Sequence, residues 1–191
     1  MISRVRLPLA VDVDALAADV GRLTAEDWVP HFNTGYYEGD WSGVALRSSA
    51  GAPLALYPDP TAAAGDWAAT EALGRCPAVA RLLDEFHCEL QSVRLLALGA
   101  HARIREHRDY MLGYDVGELR IHIPVTTSPE VEFVHDGERV AMAAGEVWYL
   151  DFNLLHSVAN PGEGRRVHLV IDCVLNPWLD GLLAAGVLGR S

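Results

Sequence analysis

Val131-Glu132-Phe133-Val134-His135-Asp136-Gly137-Glu138-Arg139-Val140-Ala141-Met142-Ala143-Ala144-Gly145-Glu146-Val147-Trp148-Tyr149-Leu150 is a succession of short apolar runs cut by turn signals. Asp136-Gly137 separates a run at Val131 to Val134 from one at Arg139 to Met142, and Ala144-Gly145 precedes a third at Val147 to Leu150. Each run is too short for a helix and has the length of a strand. Working outward, Val93 to Leu98 and Leu119 to Val125 read as strands upstream, and Val167 to Val174 as the last strand downstream. Short strands this closely spaced leave no room for crossover helices, so they predict an antiparallel sandwich or barrel rather than βαβ units. The expected fold class is mainly β with flanking helices, a double-stranded β-helix (jelly-roll) barrel. A single domain over 1–191 is expected: a helical and loop part at 1–90 packing on the barrel, a barrel core at 91–175 and a C-terminal helix at 176–191.

The flanking helices are read from period and caps. Leu16, Val20 and Leu23 recur at helical spacing between Asp12 and Trp28. Pro77 suits a first turn, and Val79, Leu82, Leu83, Phe86 and Leu90 form a stripe across about four turns, with His87 on the same helix. Asn176 caps a last helix that Pro177 opens. Between them, Val29 to Ser49 reads as an aromatic and glycine-rich loop leading to a strand at Val44 to Arg47, and Ser48 to Cys76 as a connection broken by Pro53, Pro58 and Pro60.

The composition excludes several function classes. Half of the 191 residues are hydrophobic and 21% are charged, which allows a sizeable core. A net charge of −11 repels phosphate backbones and anionic membrane surfaces, so nucleic acid and membrane are not expected partners. All 15 basic residues are arginine, which removes Schiff-base, pyridoxal-phosphate and P-loop lysine chemistry. It also removes a kinase reading of His107-Arg108-Asp109. Cys76, Cys88 and Cys173 are odd in number and lack C-x-x-C spacing, as expected of inert thiols in a reducing cytoplasm. No apolar run approaches the ~20 residues of a membrane helix, so a cytoplasmic protein is expected.

The chemistry points to His107-Arg108-Asp109-Tyr110, with His156 and the Arg165-Arg166-Val167-His168 run after it. Residues two apart in a strand face one side, so His107 and Asp109 can bind one metal if their segment is extended. His156 lies just beyond the run Glu146 to Asp151, where the chain has room to fold back across the barrel. Two imidazoles and one carboxylate occupy one face of an octahedral Fe(II) and leave three positions for co-substrate and oxygen. Arg166, His168 and Val170 alternate with Val167 and Leu169. An arginine facing such an interior demands a matching charge, and a carboxylate ligand supplies one that a guanidinium grips with two hydrogen bonds.

The segment from about Ser92 to Cys173 resembles the aspartyl/asparaginyl β-hydroxylase family of Fe(II)/2-oxoglutarate dioxygenases, and its small bacterial members in particular. Ser92-Val93-Arg94, His107-Arg108-Asp109-Tyr110, Arg120-Ile121-His122, Gly145-Glu146-Val147-Trp148-Tyr149-Leu150-Asp151, His156-Ser157 and Arg166-Val167-His168-Leu169-Val170-Ile171-Asp172 carry the resemblance. It implies a cupin-like barrel with His107, Asp109 and His156 as iron ligands. It also implies that Arg166 holds the distal carboxylate of 2-oxoglutarate and that His122 seats the same co-substrate. The implied cofactors are Fe(II), 2-oxoglutarate and O2. Retention of Asp109 favours hydroxylation over halogenation, which needs that ligand position vacant.

The implied partner is a small molecule, an amino acid or similar acid, with Arg94 or Arg120 binding its carboxylate and Trp41 closing the pocket. A peptidyl, carrier-tethered or natural-product substrate and a non-catalytic metal- or ligand-binding module are the other readings. Homodimerisation is left open.

Overall fold

The computed structural model describes residues 2–52, 56 and 65–188. In chain order the elements are β1 (Arg4–Leu7), α1 (Val13–Arg22), β2 (Val29–Pro30), β3 (Tyr37–Glu38), β4 (Trp41–Ser49), β5 (Trp67–Ala69), α2 (Glu71–Gly74), α3 (Pro77–Asp84), β6 (Leu90–Leu98), β7 (Arg103–His107), β8 (Glu118–Thr126), β9 (Glu132–His135), β10 (Glu138–Arg139), β11 (Val147–Leu150), β12 (His156–Ala159), β13 (Arg166–Val174), α4 (Pro177–Ala185) and β14 (Val187–Leu188). The larger sheet runs β14-β1-β11-β8-β13-β6-β4-β2 with β5 on β4, and the smaller runs β10-β9-β12-β7-β3. This is the expected jelly-roll: two packed antiparallel sheets, with helices against the larger one.

The two faces of the larger sheet have opposite chemistry, and that contrast positions the site. Val167, Leu169, Ile171 and Cys173 of β13, with Leu119, Ile121 and Ile123 of β8 and Val93 and Leu95 of β6, pack into one apolar core. That core also takes Leu16 of α1, Val79, Leu82 and Leu83 of α3, and Leu179 and Leu183 of α4. Full burial of each such side chain is worth ~1.5–3 kcal/mol. The alternate residues, Arg94, Arg120, His122, Arg166, His168 and Asp172, are buried too, on the opposite face toward the smaller sheet. Burial of so many polar groups is tolerable only if they pair with one another or with a ligand.

Both major N-terminal helices are shorter than their apolar spacing predicts. The first stops at Arg22, because Leu23 is already extended (φ −79°, ψ 138°). Thr24 and Asp27 then form a capping box on a separate turn, Ala25–Asp27. The second ends at Asp84, and Leu90 is instead the first residue of β6, opposite Cys173. Leu90 fits helical spacing and a strand end equally well, and the ladder decides. His87 therefore lies beyond the helix, edge-on to Trp178 at 5.4 Å. Asp19 on α1, fully buried, accepts hydrogen bonds from Ala78 N (2.7 Å) and Val79 N (2.9 Å) and so caps the first turn of α3.

The strand at Val44 to Arg47 extends to Trp41–Ser49, and the run at Arg139 to Met142 pairs only as Glu138–Arg139. Pro53, Pro58 and Pro60 lie outside the described residues, as does the end of the expected C-terminal helix. That helix is Pro177–Ala185, with Asn176 Oδ1 accepting from Leu179 N at 3.0 Å. Among the described residues, no helix is long and apolar enough to cross a membrane.

Candidate active site

β7 and β12 are antiparallel neighbours in the smaller sheet, and their register sets His107 opposite His156. The two rings lie 4.3 Å apart. His107 Nδ1 sits 2.8 Å from the Arg105 carbonyl and His156 Nδ1 3.1 Å from the Leu154 carbonyl. A carbonyl only accepts, so each Nδ1 carries the proton and each Nε2 keeps its lone pair for a metal. Burial, together with His107, holds the His156 imidazole down to about 4, in the neutral form a metal needs. Asp109 stands two residues past the end of β7, pinned by its N–H to the Phe152 carbonyl at 2.9 Å. One ligand atom from each of His107, Asp109 and His156 lies within 4.8 Å of the others. The trio therefore converges, and His156 opens a strand, β12.

Behind Asp109 stands a chain of buried ion pairs. Arg120 Nη1 donates to Asp109 Oδ2, while Nε and Nη2 of Arg120 grip Asp172 at 2.6 and 2.9 Å. Arg94 donates to the same Asp172 at 2.6 Å and to the Leu56 carbonyl at 3.0 Å. Burial works against the Asp109 carboxylate, but Arg120 and the two imidazoles overcome it and leave its pKa below the usual range. Burial also pulls Arg94 down to about 10 despite Asp172. Arg94 and Arg120, expected to bind the substrate's carboxylate, line the cavity but are already paired with Asp172. The role of Asp172 was missed, although its place on the Arg166, His168, Val170 face of β13 was the available signal.

Arg166 differs from both. It is 4% exposed and, among the described residues, forms no ion pair; its Nη2 donates to His168 Nδ1 at 2.8 Å, and its buried Nε has no partner among them. Burial alone pulls this guanidinium down to about 9. Its neighbour Arg165 turns the other way, over the Trp28 ring and onto Ser42 Oγ at 2.7 Å. His168 acts as a packed partner of Arg166. His122 stacks on Phe152 at 4.9 Å, and its Nε2 is likewise buried and unpartnered. Burial and Arg166 hold both imidazoles well below the usual histidine range.

The trio, Arg94, Arg120, His122 and Arg166 all line one cavity of about 370 Å³. An orphaned buried guanidinium and an orphaned imidazole nitrogen in the same cavity as three metal-type ligands fit a divalent ion together with a carboxylate-bearing chelator. Trp41 lines the same cavity, with His31 stacked on it at 3.5 Å and 11°. Sequence reasoning passed over His31; its place at the head of the aromatic stretch was the only cue.

The chain is similar to several known proteins. An L-proline cis-4-hydroxylase from Rhizobium meliloti (strain 1021) is 32% identical over 93 residues, covering 47% of this chain and 33% of the relative. An L-proline cis-3-hydroxylase from a Streptomyces species is 25% identical over 181 residues, covering 90% and 60%. This chain thus spans less than two thirds of the length of either relative. In fold it is similar to an oxidoreductase of the 2OG-Fe(II) oxygenase family from Burkholderia pseudomallei, with TM-score 0.60, 16% identity and 91% and 84% of the two chains covered. It is also similar to a Pseudomonas putida prolyl-4-hydroxylase, with TM-score 0.53, 19% identity and 91% and 92% covered. The family pattern described as aspartyl/asparaginyl beta-hydroxylase matches residues 11–176, and with most of the sequence inside that match, the chain belongs to this family.

Proposed function

We propose that the chain is an Fe(II)/2-oxoglutarate-dependent dioxygenase that hydroxylates an unactivated C–H of a free L-amino acid or similar small acid. One observation carries this reading: Arg166, a buried arginine without a counter-charge among the described residues, shares a cavity with the His107, Asp109 and His156 cluster. In this reading the cluster holds Fe(II), Arg166 receives the distal carboxylate of 2-oxoglutarate, and His122 packs against the same co-substrate. When bound with O2, these groups supply the oxidation, in which 2-oxoglutarate becomes succinate and CO2 and one oxygen atom enters the substrate C–H bond.

The chain's own contribution is orientation and exclusion of water. The carbonyls of Arg105 and Leu154 fix the two imidazole tautomers, and Arg120 fixes the Asp109 carboxylate. Phe133 and Phe152 wall the cavity. Arg120 engages all three of its nitrogens with Asp172 and Asp109. Of the two arginines expected to meet substrate, Arg94 is therefore the one with capacity left, because its Nε has no partner.

Incubation with Fe(II), 2-oxoglutarate, ascorbate and a panel of free L-amino acids under air tests this. The expected result is a +16 Da product with stoichiometric succinate, falling at least ~100-fold in Asp109→Ala, since disturbing even the groups around metal ligands costs about 10–100-fold. A substrate that reacts only when peptidyl or carrier-tethered would redirect the reading. No consumption of 2-oxoglutarate at all would leave a metal- or ligand-binding module.

A further inference from the structure

The proposed active cavity carries at least one positive charge more than its expected occupants neutralise, even with the exposed Arg108 at its lining left out. Three buried guanidiniums, Arg94, Arg120 and Arg166, stand against two carboxylates, the buried Asp172 and the half-buried Asp109. A divalent metal and a 2-oxoglutarate dianion cancel each other and leave that excess in place. Among the described residues lining the cavity, Asp109 is the sole acid, and it is engaged by Arg120. The remaining ligand must therefore bring an anionic group, and there is no free carboxylate to receive a cationic one.

His31 supplies a donor for that anion. Its Nδ1 accepts a hydrogen bond from Asn33 N at 3.3 Å, so the ring proton sits on Nε2. Among the described residues no acceptor engages that Nε2–H, and it is not among the buried unpartnered atoms, so it stays accessible to a ligand. The ring is held on several sides. Trp41 stacks at 3.5 Å, Tyr37 meets it edge-on at 6.4 Å, His31 N donates to the Trp41 carbonyl at 2.8 Å, and the His31 carbonyl accepts from Tyr37 Oη at 3.3 Å. A donor fixed in advance loses little freedom on binding.

We propose that His31 is a substrate-recognition residue whose Nε2–H donates to the carboxylate of the substrate, with Trp41 as the platform that positions its ring. This rests on the oxygenase reading above and adds to it a named contact with the substrate's acid group. The amine of an amino acid has no ionic partner among the described lining residues, so recognition falls mainly on the acid end.

The test is calorimetric and needs no turnover. The protein is loaded with Zn(II) and 2-oxoglutarate without O2 and titrated with the twenty proteinogenic L-amino acids, then with the carboxamide of the tightest binder. His31→Phe keeps the stack on Trp41 and removes the donor. It should weaken the acid by about 10–100-fold, the range for a hydrogen bond to a charged group. The carboxamide and 2-oxoglutarate should change by less than about twofold. His31→Gln, which returns a donor, should recover part of the acid affinity and covers the case in which His31→Phe misfolds. Unchanged acid affinity in both variants, or equal loss of acid and carboxamide, overturns the proposal. Binding of 2-oxoglutarate but of no amino acid also overturns it while leaving the oxygenase reading intact, whereas failure to bind 2-oxoglutarate removes the reading itself.

Discussion

Arg166→Leu will leave the ligand-free protein at least as stable as the parent while abolishing its affinity for 2-oxoglutarate. The guanidinium is buried and, among the described residues, forms no ion pair and has an unpartnered Nε. Replacing a buried charge with a well-packed apolar side chain is commonly neutral or stabilising by ~1–4 kcal/mol. The one hydrogen bond lost, to His168 Nδ1, leaves that atom still 3.3 Å from His122 Nδ1, which limits the cost. The thermal midpoint should therefore hold or rise, at about 2–4 °C per kcal/mol for a chain of this size. Loss of a buried charge pair with the co-substrate costs ~2–5 kcal/mol, roughly 30- to several-thousand-fold in Kd. Scanning calorimetry and a 2-oxoglutarate titration on the same preparation check both halves. A midpoint falling by more than ~5 °C would make Arg166 a structural residue, and unchanged 2-oxoglutarate affinity would remove its assigned role.

Asp172→Asn should do the reverse. Asp172 is 1% exposed and is the common acceptor for Arg94 and Arg120. Without its charge, Arg94 has no carboxylate partner among the described residues, and Arg120 keeps only that of Asp109. Breaking a buried pair from one side costs ~3–5 kcal/mol, because the surviving charge stays buried. That is a large share of a typical 5–15 kcal/mol stability, and urea unfolding should show it directly. Metal affinity should fall too, by about 10–100-fold, because Arg120 no longer holds Asp109 from a fixed position. A loss under ~1 kcal/mol would mean that the Arg94–Asp172–Arg120 network is not what keeps these arginines inside. Two buried arginine sites are thus expected to respond in opposite directions: at one the protein supplies the counter-charge, and at the other, in the proposed reading, the co-substrate does.

Much of this was legible in the sequence because β13 writes both of its environments into one strand. Val167, Leu169 and Ile171 face the helix-covered core, while Arg166, His168 and Asp172 lie on the opposite, polar face. Period-two alternation survives wherever each face has a constant neighbour. β7 is the opposite case: Arg103-Ile104-Arg105-Glu106-His107 holds a single buried apolar side chain, Ile104. It is a strand because β12 and β3 pair with it, which is tertiary context rather than local preference. The same holds for His156, whose place opposite His107 is a matter of register. The overlong helix ending at Leu90 fails for a related reason, since an apolar residue at helical spacing also suits the start of a buried strand. His31 and Asp172 stayed hidden because what they do depends on partners far away in sequence, Trp41 for one and Arg94 and Arg120 for the other.

The account depends on one metal held by three side chains. A crystal grown with Zn(II) and 2-oxoglutarate and measured at the zinc absorption edge tests that most directly. The expected result is one strong anomalous peak about 2.0–2.2 Å from His107 Nε2, His156 Nε2 and an Asp109 carboxylate oxygen. A peak held by other side chains, or no peak at these three despite saturating Zn(II), would contradict it.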